Sequence, residues 1–501
     1  MPGKGQAMNK SPENTKAAKT SGKRNAFLAI AAAILAVFFF LPPSEGLSHE
    51  ALCAIGIFFA SLTMWIGVSI DWPSLISLLL IGLLPSYGFS KMLSGSFGNS
   101  TVAFLMFTFM LVYPLSRTNF VRRVTVAFIT NPIASRGPWA FTAFLFAAVT
   151  VLGLFISPSV LFVAFMPFLE DICGVLGIEK GSRAGNMLML GTAFCISLSS
   201  GMTPIGHVWP TLAMGAYASA FGSQIDQFQY MAFGIPTGIV LVAALILVFR
   251  FLMKPEGMDR IDPRKASALK GTIPPADSSE KIILATMALV VFLWIGPTLL
   301  KGVLPGFYTK VNGLTTAFPP LLGCIILFLA RPAGRQILEF REASTKGVMW
   351  GAVLMTAAAT IVGATLTNAD LGISAWLSSV MSPLAGRLTP GLLVLFFVTW
   401  AVVETNFSSN IVTTTVVSSV VIAVLSALPA GTLSIPAAVC MVGFSAGICN
   451  MTPAGQSTIN TVAIGSGWTD ARSMFVWGAV FSVLAVLAIS FIGYPIAAAV
   501  M

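Results

Sequence analysis

The sequence predicts an all-α polytopic membrane protein with about eleven transmembrane helices, and three observations support this fold class. The chain of 501 residues is 56% hydrophobic and only 9% charged, whereas soluble domains carry about 25% charged residues. Its apolar runs reach the ~20 residues that a helical span needs, for example Ile283–Leu300 and Phe475–Val500. The period-two alternation of a membrane barrel is missing from the sequence. The chain is therefore expected to cross the lipid bilayer as helices.

The chain begins with residues 1–25, which are polar, basic and rich in Ser, Gly and Lys. This composition predicts a disordered tail, expected on the cytoplasmic side. Residues 26–48 are expected to form the first membrane helix, because "LPPSEG" offers no small-x-small cleavage site for a secretory signal. Residues 254–281 are rich in charge and proline and are expected to form a cytoplasmic linker. This linker separates two candidate repeats, residues 49–253 and 282–501.

Three landmarks of the first repeat return in the second in the same order. Met-Thr-Pro-x-Gly begins at Met202 and again at Met451. "RTNFVRR" around Phe120 corresponds to "TNADLGIS" in the second repeat. A serine-containing segment at Ser157 corresponds to one at Ser409. The three separations are close to one another, at about 250 residues. An odd number of spans between equivalent points would make these repeats inverted, as in many secondary transporters.

Each Met-Thr-Pro-x-Gly motif is expected to unwind a membrane helix near its middle. Proline removes a backbone donor and glycine loosens the helix, and unwound backbone is tolerated at that depth only beside protein or a water-filled cavity. Freed carbonyls can ligate a small cation, and exposed helix N-termini can hold an anion. A proline kink that serves packing alone is the alternative interpretation.

The residues around both breaks resemble the divalent anion/sodium symporters, a family of the ion transporter superfamily that carries dicarboxylates, citrate and sulfate. Ser409-Asn410-Ile411 stands where that family has Ser-Asn-Thr at the tip of a re-entrant hairpin. Ser157-Pro158-Ser159 takes the other tip position, with Pro158 in place of Asn. "SLSSGMTPIG" and "CNMTPAGQSTINTVAIGSG" are similar to the two broken helices of the family. The resemblance covers most of the chain from about residue 51 onward.

The resemblance implies a sodium-coupled secondary active transporter of small anions, either di- or tricarboxylates or sulfate. It also implies two re-entrant hairpins, an elevator-type motion and a homodimer. The sodium ligands it implies are Ser157, Ser159, Ser199 and Gly201 for one site, and Ser409, Asn410, Thr452 and Ala454 for the other. The substrate-binding residues it implies are Ser157, Ser159, His207, Ser409, Asn410, Thr452 and Pro453. Apart from sodium as the coupling ion, no cofactor is expected.

Two ionisable residues in apolar surroundings are further candidates. His207 follows the first Met-Thr-Pro motif, where it could contact an anion or titrate; alternatively, it hydrogen-bonds a freed carbonyl. Glu404 is an acid within the apolar run "LLVLFFVTWAVVETNF", and intramembrane acids are functional candidates by default. It could carry a proton or supply charge for a cation, or it could pair with a donor at the edge of a cavity.

The formal net charge of +10 is explained by membrane topology. With one re-entrant hairpin in each half, most of the 28 Lys and Arg residues fall in segments expected on the cytoplasmic side, as the positive-inside rule requires. The expected location is the cell (inner) membrane, crossed several times, with the N-terminus in the cytoplasm. No nucleic-acid partner is expected.

The motif content excludes several function classes. The chain has no phosphate-binding glycine loop, and its six cysteines and two histidines lack metal-ligand spacing. No catalytic dyad or nucleophile motif is present, so an enzyme is not expected. A proton-coupled carrier or an anion exchanger of the same superfamily is the main alternative. A channel or a non-transporting receptor on the same scaffold is a further alternative.

Overall fold

The computed structural model describes residues 12–43, 46–205, 207–373, 375–376, 379, 389–452 and 458–501. Side chains are described from residue 22 onward within these ranges, apart from positions 312, 367, 369 and 458. Every extended regular element in the described part of the chain is a helix, which confirms the all-α fold class. The predicted residues Pro453 and Ala454 lie outside the described ranges.

Among the described residues, eleven α-helices precede the central charged segment. They are α1 (Pro12–Phe40), α2 (His49–Gly67), α3 (Trp72–Gly82), α4 (Gly88–Gly95), α5 (Ser100–Val112), α6 (Phe120–Ile129), α7 (Pro138–Gly153), α8 (Pro158–Leu176), α9 (Arg183–Met202), α10 (Val208–Phe221) and α11 (Gln227–Val248). The expected linker itself contains two short 3₁₀ helices, Met258–Arg260 and Pro263–Thr272.

The following α-helices are described after the central charged segment. They are α12 (Ser278–Leu299), α13 (Pro305–Asn312), α14 (Phe318–Leu329), α15 (Phe340–Glu342), α16 (Trp350–Thr367), α17 (Pro390–Phe407), α18 (Asn410–Ser426), α19 (Ile435–Ser445), α20 (Thr458–Gly465), α21 (Ala471–Ala488) and α22 (Tyr494–Val500).

The helix boundaries differ from the expected ones at two places. Helix α1 begins at Pro12, inside the segment expected to be a disordered tail, because "NTKAAK" is rich in helix-forming Ala and Lys. Helix α12 begins at Ser278, where Asp277 caps it by accepting a hydrogen bond from the backbone N–H of Glu280 at 2.7 Å. Helix α12 therefore begins within the last residues of the segment expected to form the linker.

Eight helical segments within the described residues are long and apolar enough to cross a membrane. A ninth is added if Phe340–Gly347 and Trp350–Leu366, which meet at a bend of 73°, form one span. Five further apolar helices, including α7, α18 and α19, are too short to be counted alone. The multi-pass character is confirmed, whereas the number eleven is not, because breaks divide the apolar runs into shorter helices.

Two pairs of consecutive helices are separated by tight turns. Helices α7 and α8 are joined through Leu154–Ser157, and α17 and α18 are joined through only Ser408 and Ser409. The two helices of each pair also contact each other. Prolines open α7, α8 and α17 at their first turns, where the missing N–H costs no hydrogen bond. Each turn therefore presents a helix N-terminus at the predicted hairpin tip.

Two helical stretches are interrupted where the Met-Thr-Pro motifs occur. Helix α9 ends at Met202, and α10 starts at Val208. Helix α19 ends at Ser445, and α20 starts at Thr458. The ends of α9 and α19 pack together so closely that a methyl group at Gly201 would lie 2.6 Å from the carbonyl oxygen of Phe444. Glycine at this position thus permits the two interrupted stretches to meet.

Candidate functional site

A cavity of about 190 Å³ lies where the two hairpin tips meet. Ser157 and Ser159 line it from the first tip, and Ser409 and Asn410 line it from the second. The remaining lining residues are Pro158, Ser197, Ser200, Trp209, Met349, Ile411, Cys449 and Ile459. Residues more than 200 positions apart in sequence are therefore brought into one small space. Its described lining contains polar hydroxyl and amide groups and no charged side chain.

The first tip presents a serine hydroxyl at the start of a 19-residue helix. Ser157 is the N-cap residue of α8, but its hydroxyl does not cap the helix. Pro158 occupies the first helical position and has no N–H to donate. The partial positive charge of the helix N-terminus favours an anion near this tip, and the hydroxyl oxygen is a hard ligand of the kind that sodium prefers.

The second tip adds an amide group to the same arrangement. Ser409 is the N-cap residue of α18, and its hydroxyl likewise makes no capping hydrogen bond. Asn410 donates from Nδ2 to the sulfur atom of Cys449 at 3.2 Å. Because the amide nitrogen faces the sulfur, the amide oxygen remains the group that can accept a proton donor or ligate a cation. The second tip thus offers an amide oxygen beside its serine hydroxyl, whereas the first tip offers two serine hydroxyls.

The first break is tied to the first hairpin by two hydrogen bonds. The Thr203 hydroxyl donates to the carbonyl oxygen of Leu154 at 2.7 Å. His207 Nε2 donates to the carbonyl oxygen of Gly153 at 2.8 Å, and the imidazole stacks on Trp209 with ring centroids 6.3 Å apart. His207 is buried and is not among the residues that line the cavity. The structure therefore places His207 behind the site, where it supports Trp209.

The second break is tied to the second hairpin through Asn406. Its side chain accepts from the backbone N–H of Met451 at 2.7 Å and donates to the carbonyl oxygen of Ile448 at 2.8 Å. The Thr452 hydroxyl donates to the Asn406 carbonyl oxygen. Asn460 Nδ2 donates to the carbonyl oxygens of Cys449 and Thr452, at 2.8 and 3.0 Å. Side-chain amides thus replace the helical hydrogen bonds that the break removes.

One hydrogen bond recurs in the two halves. Thr203 and Thr452 are the threonines of the two Met-Thr-Pro motifs, and each donates to the carbonyl oxygen that lies three residues before a tip serine. The acceptors are Leu154, before Ser157, and Asn406, before Ser409. The matching contacts give the two breaks the same attachment to their hairpins.

Several predicted ligands lie beside the cavity without lining it. Ser199 and Gly201 are fully buried at the end of α9. The Ser199 hydroxyl donates to the carbonyl oxygen of Ile196 at 2.8 Å, and the Gly201 carbonyl oxygen accepts from the hydroxyl of Tyr230 at 2.8 Å. Thr452 is buried at the second break and is likewise absent from the described lining. The backbone carbonyl oxygens of Ser199, Gly201 and Thr452 remain candidate sodium ligands behind the residues that line the cavity.

Glu404 lies on α17, about one turn before the second tip. Its side chain is partly exposed, and it does not line the cavity. Within the described residues, no group of three or more His, Cys, Asp or Glu side chains could hold a metal ion. Any cation at the tips would therefore depend on neutral oxygen ligands.

The structure adds lining residues that the site prediction did not include. Ser197 and Ser200 come from the serine-rich end of α9. This run of serines is the sequence feature that could have indicated them as site residues. Met349 comes from the bend between the π-helical turn Ala343–Gly347 and α16. No sequence feature marks Met349 as a site residue, because its place depends on how this bend packs against the first tip.

The comparisons with known proteins agree with this geometry. The family model described as "Sodium:sulfate symporter transmembrane region" matches residues 22–498. The sodium-dependent dicarboxylate transporter SdcS of Staphylococcus saprophyticus is 23% identical over 463 residues, which cover 88% of this chain and 86% of the relative. SdcS of Staphylococcus aureus strain bovine RF122 / ET3-1 is also 23% identical, over 457 residues, with 88% and 84% coverage.

A solved structure shares the fold. The crystal structure of the Alcanivorax borkumensis YdaH transporter aligns with a TM-score of 0.55 at 15% identity, covering 89% of this chain and 98% of that chain. At this identity the match concerns the fold alone. Together with the motifs at both tips, the match of the family model over nearly the whole sequence is decisive: the chain belongs to the sodium:sulfate symporter family, the divalent anion/sodium symporters, and is a membrane transporter rather than an enzyme.

Proposed function

We propose that this protein is a sodium-coupled secondary active transporter of small dianions, with a short dicarboxylate or sulfate as the substrate. The observation that carries the proposal is the single cavity lined by both hairpin tips. Its volume of about 190 Å³ corresponds to roughly six water molecules in the liquid, which suits a small anion. The relatives named as sodium-dependent dicarboxylate transporters support the same substrate class.

The cavity chemistry fits an anion bound together with cations. Two helix N-termini and several hydroxyl groups favour a dianion, but no charged side chain in the described lining neutralises it. Sodium ions at the tips would supply that charge. Ser157 and Ser159 would hold one ion with carbonyls of the α9 end, and Ser409 and Asn410 would hold the other with carbonyls of the second break. Hydroxyl and amide oxygens are suitable ligands for a hard cation.

An elevator-type motion belongs to the same proposal. The two threonine hydrogen bonds attach each break to its hairpin, so hairpins and broken helices can move as one body. The inverted repeat and the homodimer, which the family resemblance implies, complete this arrangement. The proposed setting is the cell membrane with a cytoplasmic N-terminus.

The test is uptake of radiolabelled succinate and sulfate into proteoliposomes that contain the purified protein. An inward sodium gradient is expected to drive accumulation of at least one of these anions, and a potassium gradient is the control. Uptake that is unaffected by a sodium gradient, a proton gradient or a counter-substrate would overturn the proposal. Uptake that follows the pH gradient alone would identify the proton-coupled alternative.

A further inference from the structure

A second, smaller cavity of about 90 Å³ adjoins the transport cavity, and we call it the vestibule. It shares Ser157 and Met349 with the transport cavity, so the two spaces meet at the first hairpin tip. Its other lining residues are Phe109, Val112, Tyr113, Ser116, Ile156, Val160, Lys346 and Gly347. An ion held in the vestibule would therefore lie beside Ser157.

Lys346 is the one charged side chain among the described residues that line either cavity. Its side chain is 67% exposed, so it is accessible to a dissolved ion. The transport cavity itself relies on helix N-termini and neutral groups. Among the described residues that line the two cavities, a dianion approaching the tip thus meets a full positive charge at this lysine alone.

The position of Lys346 is fixed by the packing of its neighbours. Gly347 lies so close to Tyr113 that an added methyl group would be 3.0 Å from the Tyr113 Cβ atom. The backbone N–H of Val348 donates to the carbonyl oxygen of Ala343 at 3.1 Å and closes the π-helical turn that carries the lysine. The lysine is therefore attached to a defined wall of the vestibule.

Lys346 shares its carboxylate partner with a second cation. Lys346 Nζ lies 3.2 Å from Glu342 Oε1, while Arg117 Nη1 lies 2.7 Å from Glu342 Oε2. The Tyr113 hydroxyl also donates to Glu342 Oε1, at 3.1 Å. Two cations and one carboxylate leave one net positive charge. An incoming anion can replace Glu342 on Lys346 while Arg117 retains the carboxylate.

We infer that Lys346 forms an entry site for one anionic group of the substrate, and that Glu342 occupies this site when no substrate is present. The site takes a carboxylate or sulfate oxygen and passes the ion to the tip at Ser157. The inference rests on the proposed function for its substrate class. It makes Lys346 a determinant of dianion affinity and Glu342 its internal competitor.

The test is the dissociation constant for succinate, measured by titration calorimetry on the purified protein at constant sodium concentration. Lys346→Gln is expected to weaken binding about fivefold at low ionic strength, the effect of one unit charge at ~4 Å in water. The difference should disappear when choline chloride is added, because salt screens exposed charges. Lys346→Arg should preserve most of the affinity.

Two further variants make the test specific. Arg341→Gln removes the same charge from a nearby exposed residue that lines neither cavity, and we expect its succinate affinity to match the wild type. Glu342→Gln removes the competitor and should strengthen binding. Equal affinities and equal salt dependence for Lys346→Gln and Arg341→Gln would overturn the inference. A wild-type protein that binds succinate without transporting it would overturn the proposed function and leave the entry site standing.

Discussion

At the scale of single residues, the two hairpin tips differ in their first helical position. Pro158 follows Ser157, whereas Asn410 follows Ser409. Proline supplies neither an N–H donor nor a side-chain oxygen, and asparagine supplies both. The Asn410 amide is also oriented by its contact with Cys449. We therefore expect the second tip to be the better cation site.

This difference predicts unequal effects of alanine substitutions at the tips. Asn410→Ala would remove the proposed oxygen ligand from a partly buried position, at an expected cost of ~1–3 kcal/mol. At ~1.4 kcal/mol per decade, the apparent sodium affinity should fall by about 5- to 150-fold. Ser157→Ala should have a smaller effect, because its site already lacks the amide. The measurement is the sodium concentration that gives half-maximal uptake in each variant. An equal or larger increase of this concentration for Ser157→Ala would contradict the predicted difference between the two tips.

Glu404 provides a second prediction at this scale. Since its side chain does not line the cavity, Glu404→Gln is expected to change sodium-driven uptake by less than about twofold, within the ~0.5 kcal/mol typical of substitutions away from a site. Initial uptake rates under sodium and pH gradients test this expectation. If the substitution abolished a pH-dependent uptake while sodium had no effect, Glu404 would be the proton carrier of the alternative mechanism.

The sequence predicted the tip residues better than the residues behind them. Ser157, Ser159, Ser409 and Asn410, which line one cavity, could be named because each tip carries a short motif that resembles the hairpin tips of the family. For His207, a hydrogen bond to a freed carbonyl was one of the two interpretations, but the identity of that carbonyl could not be predicted, because only the tertiary fold brings Gly153 within 2.8 Å.

At the scale of helices, hydrogen bonds to the hairpins hold the described residues of the two Met-Thr-Pro breaks. The motif prolines prevent a continuous helix through each break, since they cannot donate to the preceding turn. They do not explain where the freed segments go. The hydroxyls of Thr203 and Thr452 position these segments by donating to carbonyl oxygens at the ends of α7 and α17.

Replacing these threonines by valine should loosen the attachment. Thr203→Val and Thr452→Val keep the side-chain shape and remove one hydrogen bond each, at a cost of about 1 kcal/mol. We expect a lower midpoint of thermal unfolding for both. Thr63→Val is the matched control, because the Thr63 hydroxyl bonds only to the carbonyl oxygen of Phe59 in its own helix. If all three variants had the same midpoint, the two hydrogen bonds would not hold the breaks.

The contact between α9 and α19 predicts a steric effect at Gly201. Gly201→Ala would place a methyl group 2.6 Å from a backbone oxygen of α19, so the helices must separate. Overpacking of this kind costs ~1–3 kcal/mol, and uptake should fall with stability. Gly174→Ala is the control, since a methyl group there meets nothing within 4 Å and should stabilise α8 by ~1 kcal/mol. Equal thermal stability of the two variants would contradict this account.

The positions of the breaks were only partly predictable. The first occurs at Met202, directly before Thr203-Pro204, as the motif indicates. The second helix already ends at Ser445, several residues before its motif. There, Asn406 and Thr405 from α17 bind the carbonyl oxygens of Ile448 and Ala446 and replace the helical partners. These partners come from a distant segment, so local sequence chemistry could not indicate them.

At the scale of the whole molecule, binding of sodium and binding of the anion should depend on each other. The cavity holds the tips of both hairpins, and each tip is joined to a broken helix. A cation that orders one tip therefore improves the site for the anion, and the anion improves the site for the cation. Thermodynamic linkage requires the two effects on binding to be equal.

Thermal unfolding of the purified protein tests this coupling. Sodium alone should stabilise the protein, and a ligand at ~100 times its dissociation constant adds about 2.7 kcal/mol. Succinate should stabilise strongly with sodium present and little when potassium replaces it, because the tips are then without the charge that balances a dianion. The double variant Ser409→Ala, Asn410→Ala should lose most of this sodium-dependent stabilisation while still unfolding cooperatively. If the effects of succinate and sodium were simply additive, the two ligands would not share one site, and coupling would have to arise elsewhere in the molecule.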